Sequence, residues 1–328
     1  MTTSELMFHV LETSGFELDV IGESTLQNLL DARKRFLGLR DDLAYLQILK
    51  QDPGEWQLLL EDLLVPETWF FRDQDTFDFI LKTARRLICA RPGTALRILS
   101  APCASGEEPY SVAMALLEKG FPETSFVIEA IDISPKQIEK ARAGQYLEAL
   151  PRGCCSDKVA KYFTRNGKKL LLSDNIRKLV HFSQENLIGE FKALTRLPYD
   201  IVLCKNLLIY LSDKARNTLI KNVRQLLVED GVLFAGHAEI SFLCNNGFRV
   251  CGPAGAFACQ WAGDNVAEKS GILSRTPSKG RTRMRNSLVS KARTEGLPRN
   301  PAANVSGPPL GKSNPISKYL QNSTKKII

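Results

Sequence analysis

From Thr94 onward, short apolar runs alternate with amphipathic segments of helical period, and this alternation limits the possible folds more than any other feature of the chain. The run at 95–100 is followed by turn residues and then by a helical segment at 110–118, with Pro109 in its first turn, where a missing N–H costs nothing. A second run, 126–131, is closed by Asp132. Ser134-Pro135-Lys136-Gln137 then reads as a capping box that opens a helix over 135–143, with Gly144 as its stop. Further apolar runs at 201–204 and 232–235 flank an amphipathic helix predicted over 213–228. Continuous apolar runs of this length read as strands buried on both faces. Strand–helix alternation therefore predicts an α/β domain with a parallel sheet covered by helices on both sides.

Upstream the period is helical throughout. Leu26, Leu29 and Leu30, then Leu43, Leu46, Ile48 and Leu49, then Trp56, Leu59, Leu60, Leu63 and Leu64 recur at helical spacing over residues 1–65. Pro66 ends the last of these segments, since the residue before a proline avoids the α region. Another helix is predicted over 73–90, with Phe77, Ile80, Leu81 and Leu87 facing inward. Residues 161–183 break the α/β rhythm. Tyr162-Phe163-Thr164, the Asn166-Gly167 pair, 169–172 and 179–182 read as short antiparallel strands around a tight turn. The expected organisation is an N-terminal helical domain at 1–72, an α/β domain at 73–262 with a β subdomain at about 161–183, and a tail at 263–328.

That tail explains the overall charge. The chain carries +8, but residues 263–328 hold 13 Lys and Arg against 3 Asp and Glu, a net of +10, which leaves the other 262 residues at −2. The basic pI is a property of the tail, so it does not support nucleic-acid binding by the body. Ser, Pro, Gly, Lys and Arg dominate the tail without periodicity, which is too little apolar surface to order itself. The eight cysteines show no CxxC spacing and read as free, mostly buried thiols of a reducing compartment. His9, His181 and His237 are isolated, so no metal is expected. No window approaches 18 consecutive apolar residues and the N-terminus has no basic-then-apolar segment, which predicts a cytoplasmic protein with no membrane insertion.

Ser105-Gly106-Glu107-Glu108-Pro109-Tyr110-Ser111 occupies the first strand-to-helix turn, the place where doubly wound sheets bind nucleotide-like ligands. Two adjacent carboxylates there would repel a pyrophosphate and attract a ligand that carries an ammonium and a sulfonium. This charge pattern points to S-adenosylmethionine (SAM) rather than NAD or ATP. Glu108 suits the ammonium, with a helix-dipole carboxylate as the alternative reading. Asp132, at the end of the second strand, suits a pair of ribose hydroxyls.

Five elements in order resemble the chemotaxis receptor methyltransferases, SAM-dependent enzymes that esterify glutamate side chains on chemoreceptor helices. They are Glu67-Thr68-Trp69-Phe70-Phe71-Arg72; the Ser105 to Ser111 turn; Ile131-Asp132-Ile133; Glu185-Asn186-Leu187; and Cys204-Lys205-Asn206-Leu207-Leu208-Ile209-Tyr210 followed by Phe234-Ala235-Gly236-His237-Ala238-Glu239. The resemblance implies a Rossmann-like SAM-dependent methyltransferase with an N-terminal helical domain and a small antiparallel β insertion. It implies cofactor contacts at Thr68, Arg72, Glu108, Asp132, Asn186, Leu187, Lys205 and Asn206, with Arg72 and Tyr210 next to the reaction. Pro66 stands where the family usually has Asn, and Lys205 where it usually has Arg. Asn186 alone would read as a turn residue, and Tyr210 alone as a half-buried aromatic.

The resemblance also implies that an early basic helix docks on acidic receptor helices, here through Arg33, Lys34, Arg35 and Arg40; a solvated helix face is the bland alternative. The partner would be the cytoplasmic helical bundle of a methyl-accepting receptor, met by a monomer whose tail is free for acidic partners. Two other readings stay open: a SAM-binding regulatory module with little catalysis, and a methyltransferase acting on a different protein.

Overall fold

The computed structural model describes residues 2–64, 66–147, 156–189 and 198–263. All of these fall in one compact unit, Met1–Lys269; the second unit, Ser270–Ile328, lies outside the described residues, as does nearly all of the basic tail.

The N-terminal part is helical: α1 (Thr3–Ser14), α2 (Leu18–Ile21), α3 (Glu23–Phe36), α4 (Asp42–Gln51) and α5 (Pro53–Leu63), followed by α6 (Gln74–Ala90). Start signals are local. The Thr2 hydroxyl accepts from Glu5 N–H in a capping box, and the Asp41 and Asp52 carboxylates cap α4 and α5.

Strands and helices then alternate: β1 (Leu96–Ser100), α7 (Glu107–Glu118), β2 (Phe126–Asp132), α8 (Pro135–Ala143), β3 (Gln145–Leu147), α9 (Ser156–Tyr162), β4 (Phe163–Asn166), β5 (Lys169–Leu172), α10 (Asp174–Arg177), β6 (Val180–Gln184), β7 (Tyr199–Cys204), α11 (Asp213–Leu226), β8 (Leu227–Ala235), α12 (Ile240–Asn245), β9 (Phe248–Val250) and β10 (Ala258–Trp261). Seven strands form one sheet in the order β6-β2-β1-β7-β8-β10-β9. The run from β6 to β8 is parallel, while β10 and β9 close the edge antiparallel.

Period-2 alternation feeds both faces. Ile98, Ile201, Leu203, Val232 and Phe234 enter one core with Phe77, Ile80, Tyr110 and Ile138 of α6, α7 and α8. Leu99, Val202, Leu233 and Ala235 enter a second core with Leu219 and Val223 of α11. Burial on both faces is why these strands read as unbroken apolar runs. Strand order reverses between the neighbours β1 and β7, which creates a crevice at their C-terminal ends.

Three details differ from the sequence reading. Of residues 179–182, the last three belong to β6, which pairs parallel with β2 in the main sheet, and the third strand of the small sheet is β3, in the order β3-β5-β4. The β4–β5 hairpin does turn at Asn166-Gly167, pairing Asn166 with Lys169. Only half of the capping box at Ser134 forms: its hydroxyl accepts from Gln137 N–H, but its own N–H donates to Asp132 Oδ1 at 2.9 Å. Of the described cysteines, Cys89 and Cys244 are exposed and Cys251 is half-buried. Among the described residues no helix is long and apolar enough to cross a membrane.

Candidate functional site

The crevice between β1 and β7 opens into a cavity of about 270 Å³. All nine residues predicted for cofactor and chemistry line it: Thr68, Arg72, Glu108, Asp132, Asn186, Leu187, Lys205, Asn206 and Tyr210. They come from five separate stretches of chain, so the fold alone brings them together.

The β1–α7 turn is shaped by Gly106. Its φ is +93°, and a Cβ there would lie 3.0 Å from the Ala141 side chain and 3.1 Å from the Tyr110 ring, so no larger residue fits without displacement. Glu108 in the first turn of α7 accepts a 2.8 Å hydrogen bond from the Ser100 hydroxyl at the end of β1. Burial holds its carboxyl above the usual range, against the opposing charge of Lys205. One protein partner leaves most of its acceptor capacity unspent. Glu107, in contrast, turns back to the Ser105 hydroxyl at 2.9 Å.

Asp132 ends β2 and is buried; Oδ2 accepts from Ala104 N–H at 2.8 Å and Oδ1 from Ser134 N–H. It ties the two ligand-end turns together while burial raises its pKa. The Ser134 hydroxyl passes on to Glu61 of α5 at 2.9 Å, which fastens the helical part to this turn.

Opposite stands the turn after β7. Lys205 is buried and donates to Asp73 at 2.7 Å, so its charge is neutralised within the wall. Asn206 sits in the left-handed region with φ +60°. Burial raises the Tyr210 phenol, reinforced by the negative charge of Glu67, which keeps it protonated. The backbone of Tyr210 accepts from Glu17 N–H at 2.9 Å, and Phe16 bridges Leu211, so the loop after α1 forms part of the cavity wall. The segment between α5 and α6 carries Thr68, Trp69 and Arg72. The Arg72 guanidinium stacks over the Trp69 ring at 4.1 Å and donates to the Glu67 carbonyl at 3.3 Å. Asn186 is exposed and lines the cavity, while its side-chain oxygen accepts from Ile188 N–H at 2.9 Å, as a turn residue does. Pro66 lines the wall and offers no side-chain donor.

The expected docking cluster divides in two. The Arg33 guanidinium binds the Glu55 carboxylate and reaches Asp62 at 3.9 Å, and Lys34 is buried between Asp42 and Asp31. These two spend their charge inside the helical part and are withdrawn from the surface; Arg35 and Arg40 remain exposed. Glu239 closes the run that begins at Phe234, and nothing in its local sequence marks a role for it. Its buried carboxylate collects N–H groups from the turn after β7. Asp73, the partner of Lys205, escaped notice for want of any local signal.

The donor set fits a cationic nucleoside-like ligand. A carboxylate on α7 lines the cavity, the end of β2 supplies another, and the first turn of α7 carries two acids whose charge would repel a phosphate at that helix N-terminus.

The family model described as "CheR methyltransferase, SAM binding domain" matches residues 66–254. The chain is 36% identical over 239 residues to a "Probable biofilm formation methyltransferase WspC" of Pseudomonas aeruginosa, covering 73% of this chain and 57% of that one. A protein of the same description from Pseudomonas putida is 34% identical over 248 residues, covering 75% and 58%. The chain therefore spans little more than half the length of these two relatives. A "Chemotaxis protein methyltransferase" of Escherichia coli is 31% identical over 237 residues, covering 70% of this chain and 81% of that one.

Proposed function

Because this chain belongs to the CheR methyltransferase family, we propose that it methylates glutamate side chains on the cytoplasmic helices of a methyl-accepting receptor, as a protein-glutamate O-methyltransferase. When bound, SAM supplies an electrophilic methyl group on a sulfonium. The observation that carries the reading is the meeting, on one cavity, of an acidic wall from α7 and β2 with Arg72 and Tyr210 from two other stretches. In this reading Glu108 holds the cofactor's ammonium and Asp132 its ribose, while Asn186 and Leu187 lie at the adenine. Thr68, Lys205 and Asn206 complete the wall.

A glutamate substrate is already ionised at neutral pH, so the protein need not remove a proton. The work left to its residues is alignment and exclusion of water. Arg72, held flat by Trp69, can orient the incoming carboxylate. The protonated Tyr210 can donate to a polar atom beside it. Pro66 removes one polar contact that most members have, and Lys205 keeps the cationic charge without a fork geometry.

The exposed Arg35 and Arg40 would meet the acidic receptor helices, with the protein acting as a monomer in the cytoplasm. The basic tail would add salt-sensitive attraction to acidic partners. Purified protein should transfer labelled methyl groups from SAM to receptor helices as base-labile esters. Cofactor binding without any such ester on a cognate receptor would refute the assignment and favour a SAM-binding regulatory module.

A further inference from the structure

We propose that Glu239 is a positioning residue: one carboxylate, outside the cavity, sets the shape of the turn that presents Lys205, Asn206 and Tyr210. Glu239 is 1% exposed. Its Oε2 accepts from Asn206 N–H at 3.0 Å and from Gly236 N–H at 2.6 Å, and its Oε1 accepts from Leu208 N–H at 2.7 Å. These three N–H groups lie between regular elements, and buried donors of this kind need a partner. Here the partner is a single side chain. The bonds to Asn206 and Leu208 straddle Leu207, so they hold Asn206 at φ +60° and start the short 3₁₀ turn Leu208–Tyr210.

Gly236 makes the close approach possible, since a Cβ there would come within 2.9 Å of Glu239 Oε2 and 3.1 Å of Asn206 Nδ2. Glu108 and Asp132 sit on other turns and are untouched by this carboxylate. The two carboxylates assigned to the cofactor therefore stay in place when Glu239 is removed: SAM affinity falls only by what Lys205 and Asn206 contribute, while the chemical step loses the placement of Tyr210.

The inference rests on methyl transfer by this chain. The test uses the full chain and compares Glu239→Gln, which keeps the size but turns an amide N–H toward the backbone donors, with Glu239→Asp and with the remote core variant Val223→Ala. Three readouts are needed: amide hydrogen exchange at Asn206 and Leu208, SAM affinity by calorimetry, and kcat on receptor helices. Glu239→Gln keeps a single acceptor oxygen, so it should lose exchange protection at whichever of the two amides its NH2 group faces and drop kcat on the order of a hundredfold, as expected when reacting groups shift by about an ångström. SAM affinity should change far less than kcat. Glu239→Asp should recover part of kcat, and Val223→Ala should lower the melting midpoint without lowering kcat.

Normal exchange at both amides in Glu239→Gln, or wild-type kcat despite their exposure, overturns the proposal. So does a kcat loss in Val223→Ala equal to that in the Gln variant. If Glu239→Gln does not fold, the Asp variant carries the same comparison. An unmodified chain that transfers no methyl group would instead reject the functional reading, while the exchange data would still decide whether Glu239 shapes the turn.

Discussion

Glu108 shows how one residue can be costly to the fold and useful to a ligand. Burial holds its pKa above the ordinary glutamate value, so the folded protein binds a proton more readily than the unfolded chain does. The sign follows: its contribution to stability is fully present below the unfolded value near 4.5 and is lost as pH rises through the raised folded value. A cationic cofactor reverses the preference, because it favours the ionised carboxylate. SAM affinity should therefore fall on acidification, starting above the ordinary carboxylate range. Binding in that window should release protons, which calorimetry in two buffers of different ionisation enthalpy would detect. Glu108→Gln should weaken SAM binding about tenfold or more, in line with a charge-assisted hydrogen bond of about 1.5–3 kcal/mol. Equal affinity in that variant would remove Glu108 from the cofactor site. Gly106→Ala acts through the backbone instead. A side chain at φ +93° costs about 1–3 kcal/mol, and its melting midpoint and SAM affinity should fall together.

At the scale of elements, α3 and the turn after it carry two kinds of basic residue, those paired inside the helical part and those left in water. Arg33 and Lys34 point inward to acids on α3, α4 and α5, while Arg35 and Arg40 stay in water. Arg33→Ala leaves the buried Glu55 without its cation and should cost about 3 kcal/mol, seen as a lower melting midpoint. Arg35→Glu should leave the melting midpoint in place and raise KM for receptor helices, because exposed charges steer encounters without stabilising the fold. If Arg35→Glu leaves KM unchanged at low salt, α3 is not the docking face. Apart from Lys34–Asp31, which is three positions apart on α3, the inward pairs join different helices, up to 29 positions apart for Arg33 with Asp62, so helical spacing alone could not reveal them. The same holds for β6. Residues 179–182 follow a real hairpin, and nothing local says that the chain has already returned to the parallel sheet beside β2.

For the whole molecule, the charge divides sharply along the chain. With +10 in residues 263–328 and −2 elsewhere, removing 264–328 should leave the melting midpoint and SAM affinity unchanged while abolishing salt-sensitive retention on a polyanion column. A loss of SAM affinity on truncation would give the tail a part in the site. Much of this protein was legible from local pattern. Strand–helix alternation, start and stop residues and the acidic turn at Glu107-Glu108 are encoded within a few residues of one another, because backbone hydrogen bonding and capping are short-range. The resemblance carried by the five motifs then brought in Asn186, Tyr210 and Arg72, which the residues alone left ambiguous. What required the folded chain was the outcome of burial. It turned Arg33 and Lys34 inward, paired Lys205 with Asp73 across 132 positions, and made Glu239 the common acceptor for a turn 31 to 33 residues away. Buried charges and donors must find partners wherever the chain brings them, and that requirement leaves no mark in the sequence around each residue.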